Sequence, residues 1–202
     1  MLLAAWPVAA LAADRAGRFD FYVLSLTWSP SYCAAEGGAR GDAQCETGRR
    51  YGFLVHGLWP QYERGYPEDC PTRLAPDEAD IRAVADLMPA RGLVRHEWQK
   101  HGACSGLAPA DYLKTIRAAR EAVRVPAAFQ RIDSYTTVSP AEVEAAFVAA
   151  NPGLRPAGVA VTCDRRRLRE VRVCLTRDLR FRACEEVDRR ACRADRVVLP
   201  PV

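Results

Sequence analysis

Apolar residues alternate with polar ones, or form short apolar runs, near both ends of this chain and follow a helical period between them. Residues 19–28 (FDFYVLSLTW) and 51–59 (YGFLVHGLW) are rich in the aromatic and β-branched residues that favour strands. The segments GVAVTC, LREVRVCLT and LRFRAC within residues 158–184 alternate in the same way. We therefore predict strands in these places, with Arg177 and Asp178 in the turn of a hairpin.

Three segments between these strands carry the start and stop signals of helices: residues 76–90, 109–123 and 139–153. The last has the clearest start, because Ser139 can act as the N-cap, Pro140 occupies the first helical position and Glu142 can close a capping box. Strands, then helices, then strands predict an α+β fold with a largely antiparallel sheet.

Length and composition suit one soluble globular domain. The chain has 202 residues, of which 49% are hydrophobic and 27% charged, and it has no apolar run long enough to span a membrane. Its net charge is only +4, but residues 163–196 hold twelve arginines against seven acidic residues. Such a segment could attract a polyanion, although a solvated face with scattered ion pairs is the commoner explanation.

The first residues have the pattern of a secretory signal peptide. Residues 1–13 are apolar and offer an A-x-A cleavage pattern at Ala10-Leu11-Ala12, although no Lys or Arg precedes the apolar run. A buried N-terminal helix is the alternative. We expect a signal peptide over residues 1–13 and a single domain over residues 14–202.

Eight cysteines, an even number with no C-x-x-C spacing among them, favour disulfides over a zinc or thioredoxin-type site. Residues 29–50 are turn-rich and read as a loop that Cys33 and Cys45 could staple. Disulfides persist in oxidising compartments, so the cysteines and the N-terminal pattern together predict a secreted or periplasmic protein.

The segment HEWQKHGAC, residues 96–104, concentrates two histidines, a glutamate and a lysine in six positions. On a helix, His96 and His101 would lie about 140° apart, whereas the zinc-binding H-E-x-x-H pattern places its histidines about 40° apart. Lys100 would also add positive charge between them. The spacing therefore disfavours a metallopeptidase site, and Trp98 is expected to point away from these groups into the core.

The same residues suit proton transfer around an anion, because imidazoles exchange protons near neutral pH and a lysine supplies fixed positive charge. In-line attack on a phosphodiester needs a group that accepts a proton and one that donates a proton on the opposite side. The one histidine outside HEWQKHGAC is His56, in the strand-like FLVHGLWPQ before Gly57. A buried core histidine is the ordinary alternative for such a residue.

Two segments resemble the active-site segments of the ribonuclease T2 family: FLVHGLWPQ at residues 53–61 and HEWQKHGAC at residues 96–104. LTWSPSYC, Asp69-Cys70-Pro71 and the last four cysteines extend the similarity over about residues 19–192. The resemblance implies a metal-independent endoribonuclease that needs no cofactor and makes 2′,3′-cyclic phosphates and then 3′-phosphates. DNA, which lacks the 2′-hydroxyl, should not be cleaved.

The resemblance also implies a role for each matched residue. His56 and His101 would be the acid/base pair, with His101 as the base and His56 as the acid. Glu97 and Lys100 would stabilise the transition state, and His96 would bind the phosphate.

Trp59 would carry a substrate base, with a core tryptophan as the alternative, and Gln61 stands where some members have an acidic residue that helps to select the base. The disulfides implied by the family pattern are Cys33–Cys45, Cys70–Cys104, Cys163–Cys192 and Cys174–Cys184. We expect a monomer that acts on single-stranded RNA and does not bind a membrane. A secreted protein that kept the fold and lost the activity is the rival hypothesis, since family resemblance alone does not guarantee activity.

Overall fold

The structure, a computed structural model, describes residues 14–46, 48 and 50–202, so the predicted signal peptide lies outside the described residues. The strands are β1 Phe21–Trp28, β2 Phe53–Gln61, β3 Thr136–Val138, β4 Val159–Cys163, β5 Leu168–Leu175 and β6 Val197–Leu199. The α-helices are α1 Ser29–Tyr32, α2 Gly38–Arg40, α3 Glu78–Ala83, α4 Arg91–Lys100, α5 Pro109–Ala122, α6 Pro140–Ala150 and α7 Glu185–Arg189.

Four of the strands form one sheet in the order β2-β1-β5-β4, and every neighbouring pair in it is antiparallel. Strands β3 and β6 form a separate two-stranded antiparallel ribbon. The predicted α+β fold with an antiparallel sheet is therefore confirmed. Strand β1 lies inside the sheet and all eight of its residues are buried, which explains its nearly continuous apolar sequence.

The two faces of this sheet have different roles. On one face Leu24 and Leu26 of β1 pack with Val171 and Val173 of β5 in the main core, which also holds buried residues of α4, α5 and α6. The other face carries a smaller apolar cluster of Phe21, Val23, Cys174 and Cys184. Residues of β1 alternate between the two faces, as the period of a strand requires.

One helix begins as its sequence indicates, and another ends earlier than predicted. Ser139 and Glu142 form the predicted capping box at the start of α6. The helix predicted over residues 76–90 is shorter than expected: α3 ends at Ala83 and the chain continues in turns. There the carbonyl of Leu87 accepts a hydrogen bond of 3.1 Å from the backbone of Val55 in β2, so this segment covers the open edge of the sheet.

Other local predictions differ from the structure. The turn at Arg177 and Asp178 is present, but the segment after it makes only an isolated bridge between Phe181 and Leu175 instead of a strand. The chain leaves the sheet there because Cys184 is bonded to Cys174 and its amide donates to the carbonyl of Ala157. The segment predicted as a loop, 29–50, contains short helical turns, including a π-helical one at Cys33–Gly37.

The cysteines form four disulfides, in the pairing that the resemblance implies: Cys33–Cys45, Cys70–Cys104, Cys163–Cys192 and Cys174–Cys184. The arginine-rich segment 163–196 includes several residues in ion pairs with acidic residues on the surface: Arg167, Arg169, Arg182 and Arg190. These pairs support the interpretation of that segment as a solvated face. A helix of the length and apolarity needed to cross the bilayer is not found in 14–46, 48 and 50–202.

Candidate active site

His56 lies at a β-bulge in β2. In the pairing of β1 with β2, Ser25 faces Gly57 and the next residue, Leu26, faces Val55, so His56 is the additional residue between them. The bulge keeps Val55 and Leu58 both in the main core. It also brings His56 and Trp59 together, with 5.3 Å between their ring centroids.

Helix α4 presents the second predicted segment beside this strand. Val94 and Trp98 are buried in the main core, which confirms the predicted direction of Trp98. Glu97 is also buried, whereas His96 is exposed. The helix ends at Lys100, and His101 leaves it with φ −125°, so the two histidines do not lie on one continuous helix.

The Glu97 carboxylate is held against β2 from two sides. Its Oε2 accepts a hydrogen bond of 2.7 Å from Nε1 of Trp59, and its Oε1 lies 3.5 Å from Nε2 of His56. Gly57 permits this approach, because a β-carbon there would overlap both the carboxylate and the Trp59 nitrogen. Burial raises the pKa of Glu97, and the charge of His56 and the Trp59 hydrogen bond oppose that rise.

His56 is flanked by a second carboxylate that the sequence analysis did not single out. Its Nδ1 lies 2.5 Å from Oε1 of Glu170 in β5, which is also buried. Burial alone would lower the pKa of His56, but the hydrogen bond and charge of Glu170, together with the charge of Glu97, raise it above its ordinary value. His56 is therefore set to hold a proton.

His101 has the opposite tendency. Its ring is half-buried between Trp59 and Tyr66, with centroid distances of 5.4 Å and 6.0 Å, and within the described part of the chain its buried Nδ1 has no hydrogen-bond partner. Burial, followed by the charge of Lys100, lowers the pKa of His101 to about 4. His101 is therefore neutral over most of the range in which His56 is protonated.

Lys100 and His96 flank this pair. The ammonium of Lys100 lies 2.6 Å from a Glu68 oxygen and 3.6 Å from one of Asp69, so two carboxylates hold it in place. His96 and His56 both line a cleft of about 550 Å³. An anion bound in this cleft would be near the imidazoles of His56 and His96, whereas Lys100 and His101 do not line the cleft.

The two residues predicted to contact a base occupy different surroundings. The guanidinium of Arg172 lies over the Trp59 ring at 5.0 Å from its centroid, so one face of the indole is already covered. Gln61 is at the end of β2, where its side-chain nitrogen donates to the carbonyl of Pro60. Tyr66, which the sequence analysis did not consider, presents an exposed ring next to His101.

The sequence contains a signal for the two missed residues of β5. Glu170 and Arg172 are charged residues of opposite sign that lie two apart in the chain, with the apolar Val171 between them. They therefore share one face, and in a strand between two others such charges need partners. For Tyr66 we find no comparable signal in the sequence. No group of three or more His, Cys, Asp or Glu side chains among residues 14–46, 48 and 50–202 is arranged to hold a metal ion.

The model of the ribonuclease T2 family matches residues 19–184. The chain belongs to the ribonuclease T2 family. This confirms the resemblance of its two active-site segments, both of which fall within the matched residues.

Named relatives agree with this membership. A ribonuclease of Aeromonas hydrophila is 50% identical over 113 residues, which cover 55% of this chain and 50% of that protein. Ribonuclease I of Escherichia coli K12 is 31% identical over 197 residues, 77% of this chain and 74% of that protein. This chain therefore spans about half the length of the Aeromonas hydrophila ribonuclease.

The fold of the T2 family is also shown by solved structures. An RNase-related protein from Calystegia sepium superposes with a TM-score of 0.72 at 19% identity, covering 91% of this chain and 98% of its own.

Proposed function

We propose that this chain is an endoribonuclease that cleaves single-stranded RNA by transphosphorylation, without a metal ion. The observation that carries the proposal is the opposite proton affinity of two histidines beside one tryptophan. The pKa of His56 is raised and that of His101 is lowered to about 4. An acid and a base that coexist in one site are what an in-line displacement at phosphorus requires.

In the proposed first step, His101 accepts the proton of the ribose 2′-hydroxyl, whose oxygen attacks the adjacent phosphorus. His56 donates its Nε2 proton to the departing 5′-oxygen, which leaves a 2′,3′-cyclic phosphate. In the second step the roles reverse, because neutral His56 can activate water and protonated His101 can protonate the departing 2′-oxygen. The product is a 3′-phosphate.

The surrounding groups are assigned to the phosphate and its developing charge. We assign phosphate binding to His96, which is exposed at the cleft beside His56. Lys100 and Glu97 stabilise the transition state, Lys100 through its positive charge next to His101. Because Arg172 covers one face of Trp59, we assign base stacking to Tyr66 together with the free part of the indole, with Gln61 at the margin.

The location and assembly state are part of the proposal. Four disulfides favour an oxidising compartment, so we propose that the protein acts outside the cytoplasm, in a periplasm or the medium. We propose that it acts as a monomer and leaves DNA intact, because the nucleophile of the first step is the ribose 2′-hydroxyl, which DNA lacks.

The test is incubation of the oxidised protein with single-stranded RNA, and separately with DNA, in excess EDTA, followed by mass analysis of the fragment ends. We expect 2′,3′-cyclic and 3′-phosphate ends from RNA and no change in DNA. The variants His56→Ala and His101→Ala should each lose about 10² to 10⁴ in kcat while circular dichroism stays unchanged. His96→Ala is the matched histidine control, for which we expect a rise in KM and a smaller loss of kcat. Intact RNA from pH 4 to 8 would instead favour a binding protein of the same fold.

A further inference from the structure

Two charged residues of β5 complete a closed ring of contacts around His56, although neither belongs to FLVHGLWPQ or HEWQKHGAC. We infer that Glu170 is the positioning residue of His56, which fixes its ring and keeps it protonated, and that Arg172 holds Glu170 in place for this purpose. The inference rests on the proposed function, since it explains why His56 would be the acid of that reaction.

Glu170 contacts the ring of His56 directly. Nδ1 of His56 donates to Oε1 of Glu170 at 2.5 Å, and Glu170 is buried on a strand that belongs to the same sheet. Buried carboxylates are costly unless they are paired and hydrogen-bonded. With Nδ1 held by a carboxylate, the proton that His56 can exchange is the one on Nε2.

Arg172 accounts for the other oxygen of Glu170. Its Nε and Nη2 donate to Oε2 of Glu170 at 3.0 Å and 2.8 Å, which fixes the carboxylate by two bonds. The same guanidinium covers Trp59, whose Nε1 donates to Glu97, and Glu97 returns to Nε2 of His56 at 3.5 Å. Five side chains from β2, β5 and α4 thus support one another.

The pairing of the strands explains how the β5 residues reach β2. Gly57, Ser25 and Arg172 lie in one row across β2, β1 and β5, and Glu170 pairs with Thr27 two residues further along β1, on the same face of the sheet. Ser25 lies on β1 between Arg172 and Gly57, and its side chain is small. Long side chains of β5 can therefore extend over β1 to the histidine at the bulge.

The protons balance without any transfer to Glu170. Burial alone would raise the pKa of Glu170, but the hydrogen bond and charge of His56, with Arg172, lower it to about 2. When His56 gives its Nε2 proton to the leaving oxygen, the Nδ1 proton stays on the ring and remains donated to Glu170. The carboxylate stabilises the imidazolium as the buried aspartate of a Ser-His-Asp triad does.

Other charged groups also act on His56, and their signs make the inference testable. Glu170 and Glu97 raise the pKa of His56, whereas Arg172 lowers it. Further charged or titratable groups of the described residues lie around His56: His96, Lys100 and His101 at α4 and its end, and Glu36, Arg40, Asp42 and Arg169, which line the same cleft as His56. Removal of Glu170 and removal of Arg172 should therefore move the pKa of His56 in opposite directions.

The experiment is a titration of ¹⁵N-histidine-labelled protein by NMR, which three histidines make simple to assign. In Glu170→Gln we expect the pKa of His56 to fall by about one pH unit or more. We also expect the neutral His56 ring to lose its preference for the tautomer with the proton on Nδ1 over the one with the proton on Nε2. In Arg172→Gln we expect the pKa to rise. The control is Glu144→Gln, which removes a half-buried carboxylate that accepts from the backbone of Val161 in β4; it should leave the three titrations and the activity unchanged.

Kinetics give the second readout. In Glu170→Gln the alkaline limb of kcat/KM should move to lower pH. At pH 7, kcat should fall about tenfold for each pH unit by which the pKa of His56 then lies below 7, with KM little changed. Glu170→Asp keeps the charge, should restore part of this loss and is the variant to titrate if Glu170→Gln does not fold.

The outcomes separate the two proposals. If the wild type does not cleave RNA, the proposed function fails, while the titrations still test the contact between Glu170 and His56. If the wild type cleaves RNA and neither the pKa of His56 nor the alkaline limb moves in Glu170→Gln, the positioning role is wrong. A shift of the same sign and size in the control Glu144→Gln and in Glu170→Gln would indicate general damage to the sheet and would equally overturn it.

Discussion

The carboxylate of Glu97 occupies the space that a side chain at Gly57 would need. One residue comes from the middle of β2 and the other from α4, so their contact fixes the helix that carries HEWQKHGAC against the strand that carries FLVHGLWPQ. The glycine in FLVHGLWPQ is thus required by a neighbour in space rather than by an unusual backbone angle.

Replacing Gly57 by alanine should therefore damage the site. The new β-carbon would overlap Glu97 and the Trp59 nitrogen, so the helix must shift or the hydrogen bond must break. We expect a loss of about 10²-fold in kcat/KM, since misplacement by about 1 Å has such effects, and about 1–3 kcal/mol less stability. Urea unfolding and RNA cleavage measure both.

The stability control lies in the same helix as Glu97. Gly92 is in the first turn of α4, and a β-carbon there would meet no other atom within 4 Å. Gly92→Ala should stabilise the protein by up to about 1 kcal/mol, because alanine favours a helix over glycine. Equal losses of stability in both variants would contradict the packing explanation for Gly57.

The pH dependence of kcat/KM should be bell-shaped on the acidic side of neutrality. The rate needs neutral His101, whose pKa is about 4, and protonated His56, whose pKa is above the ordinary 6.5. Activity should therefore rise with pH through about 4 and fall as the pH passes the pKa of His56. Initial rates on a dinucleotide such as UpA from pH 3 to 9 test this, and a maximum above pH 8 would exclude the assignment.

Much of the fold could be predicted from sequence patterns because the elements that form it are locally specified. Strands β1 and β5 carry apolar residues on the face that packs in the core, and α6 has a capping box that the structure reproduces. The predictions that failed depended on tertiary contacts that the local pattern does not contain. The helix over residues 76–90 was shortened by an edge contact with β2, and a disulfide draws residues after Phe181 out of the sheet.

The candidate active site likewise combines residues that local sequence motifs identify with a residue that only the fold reveals. The two matched segments supply His56, His96, Glu97, Lys100 and His101, which the fold brings to one region. Glu170 could not be placed there from local pattern alone, because its contact with His56 depends on the strand order β2-β1-β5 and spans 114 positions. The bulge at His56 had a weak signal in Gly57, since a glycine inside a strand often marks one.

The disulfide Cys70–Cys104 should matter for activity as well as stability. It joins the segment of Glu68 and Asp69 to the end of α4, where the amide of Asp69 also donates to the carbonyl of Lys100 at 2.9 Å. The double variant Cys70→Ala/Cys104→Ala should lose about 3–4 kcal/mol of stability. We also expect a fall in kcat of about tenfold, because misplaced catalytic groups lose rate steeply.

Cys163–Cys192 provides the matched comparison. Its residues are separated by 29 positions against 34 for Cys70–Cys104, so removal of either bond should cost a similar unfolding free energy. Cys163→Ala/Cys192→Ala should keep most of its kcat at a temperature at which both variants are folded. If both variants lose kcat equally, the effect is general loosening and not the position of Lys100.

Replacing His101 by phenylalanine should abolish cleavage and at the same time make the protein more resistant to acid. The pKa of His101 is about 4 in the folded protein and about 6.5 when unfolded, so between these values the unfolded chain binds more protons. Stability therefore falls as the pH drops from 6.5 to 4. Phenylalanine does not titrate, so it avoids this loss.

The comparison is the difference in unfolding free energy between His101→Phe and the wild type, measured by urea at pH 7 and pH 4.5. At pH 7 we expect the variant to be at least as stable, since the buried Nδ1 of His101 has no partner among the described residues and the ring lies against Trp59 and Tyr66. At pH 4.5 its advantage should grow by about 1–3 kcal/mol. His96→Gln, at an exposed position, is the control for losing one histidine. An advantage that stays constant or shrinks with falling pH would mean that folding does not lower the pKa of His101. His101 would then already be protonated at acidic pH and could not accept the proton of the 2′-hydroxyl there.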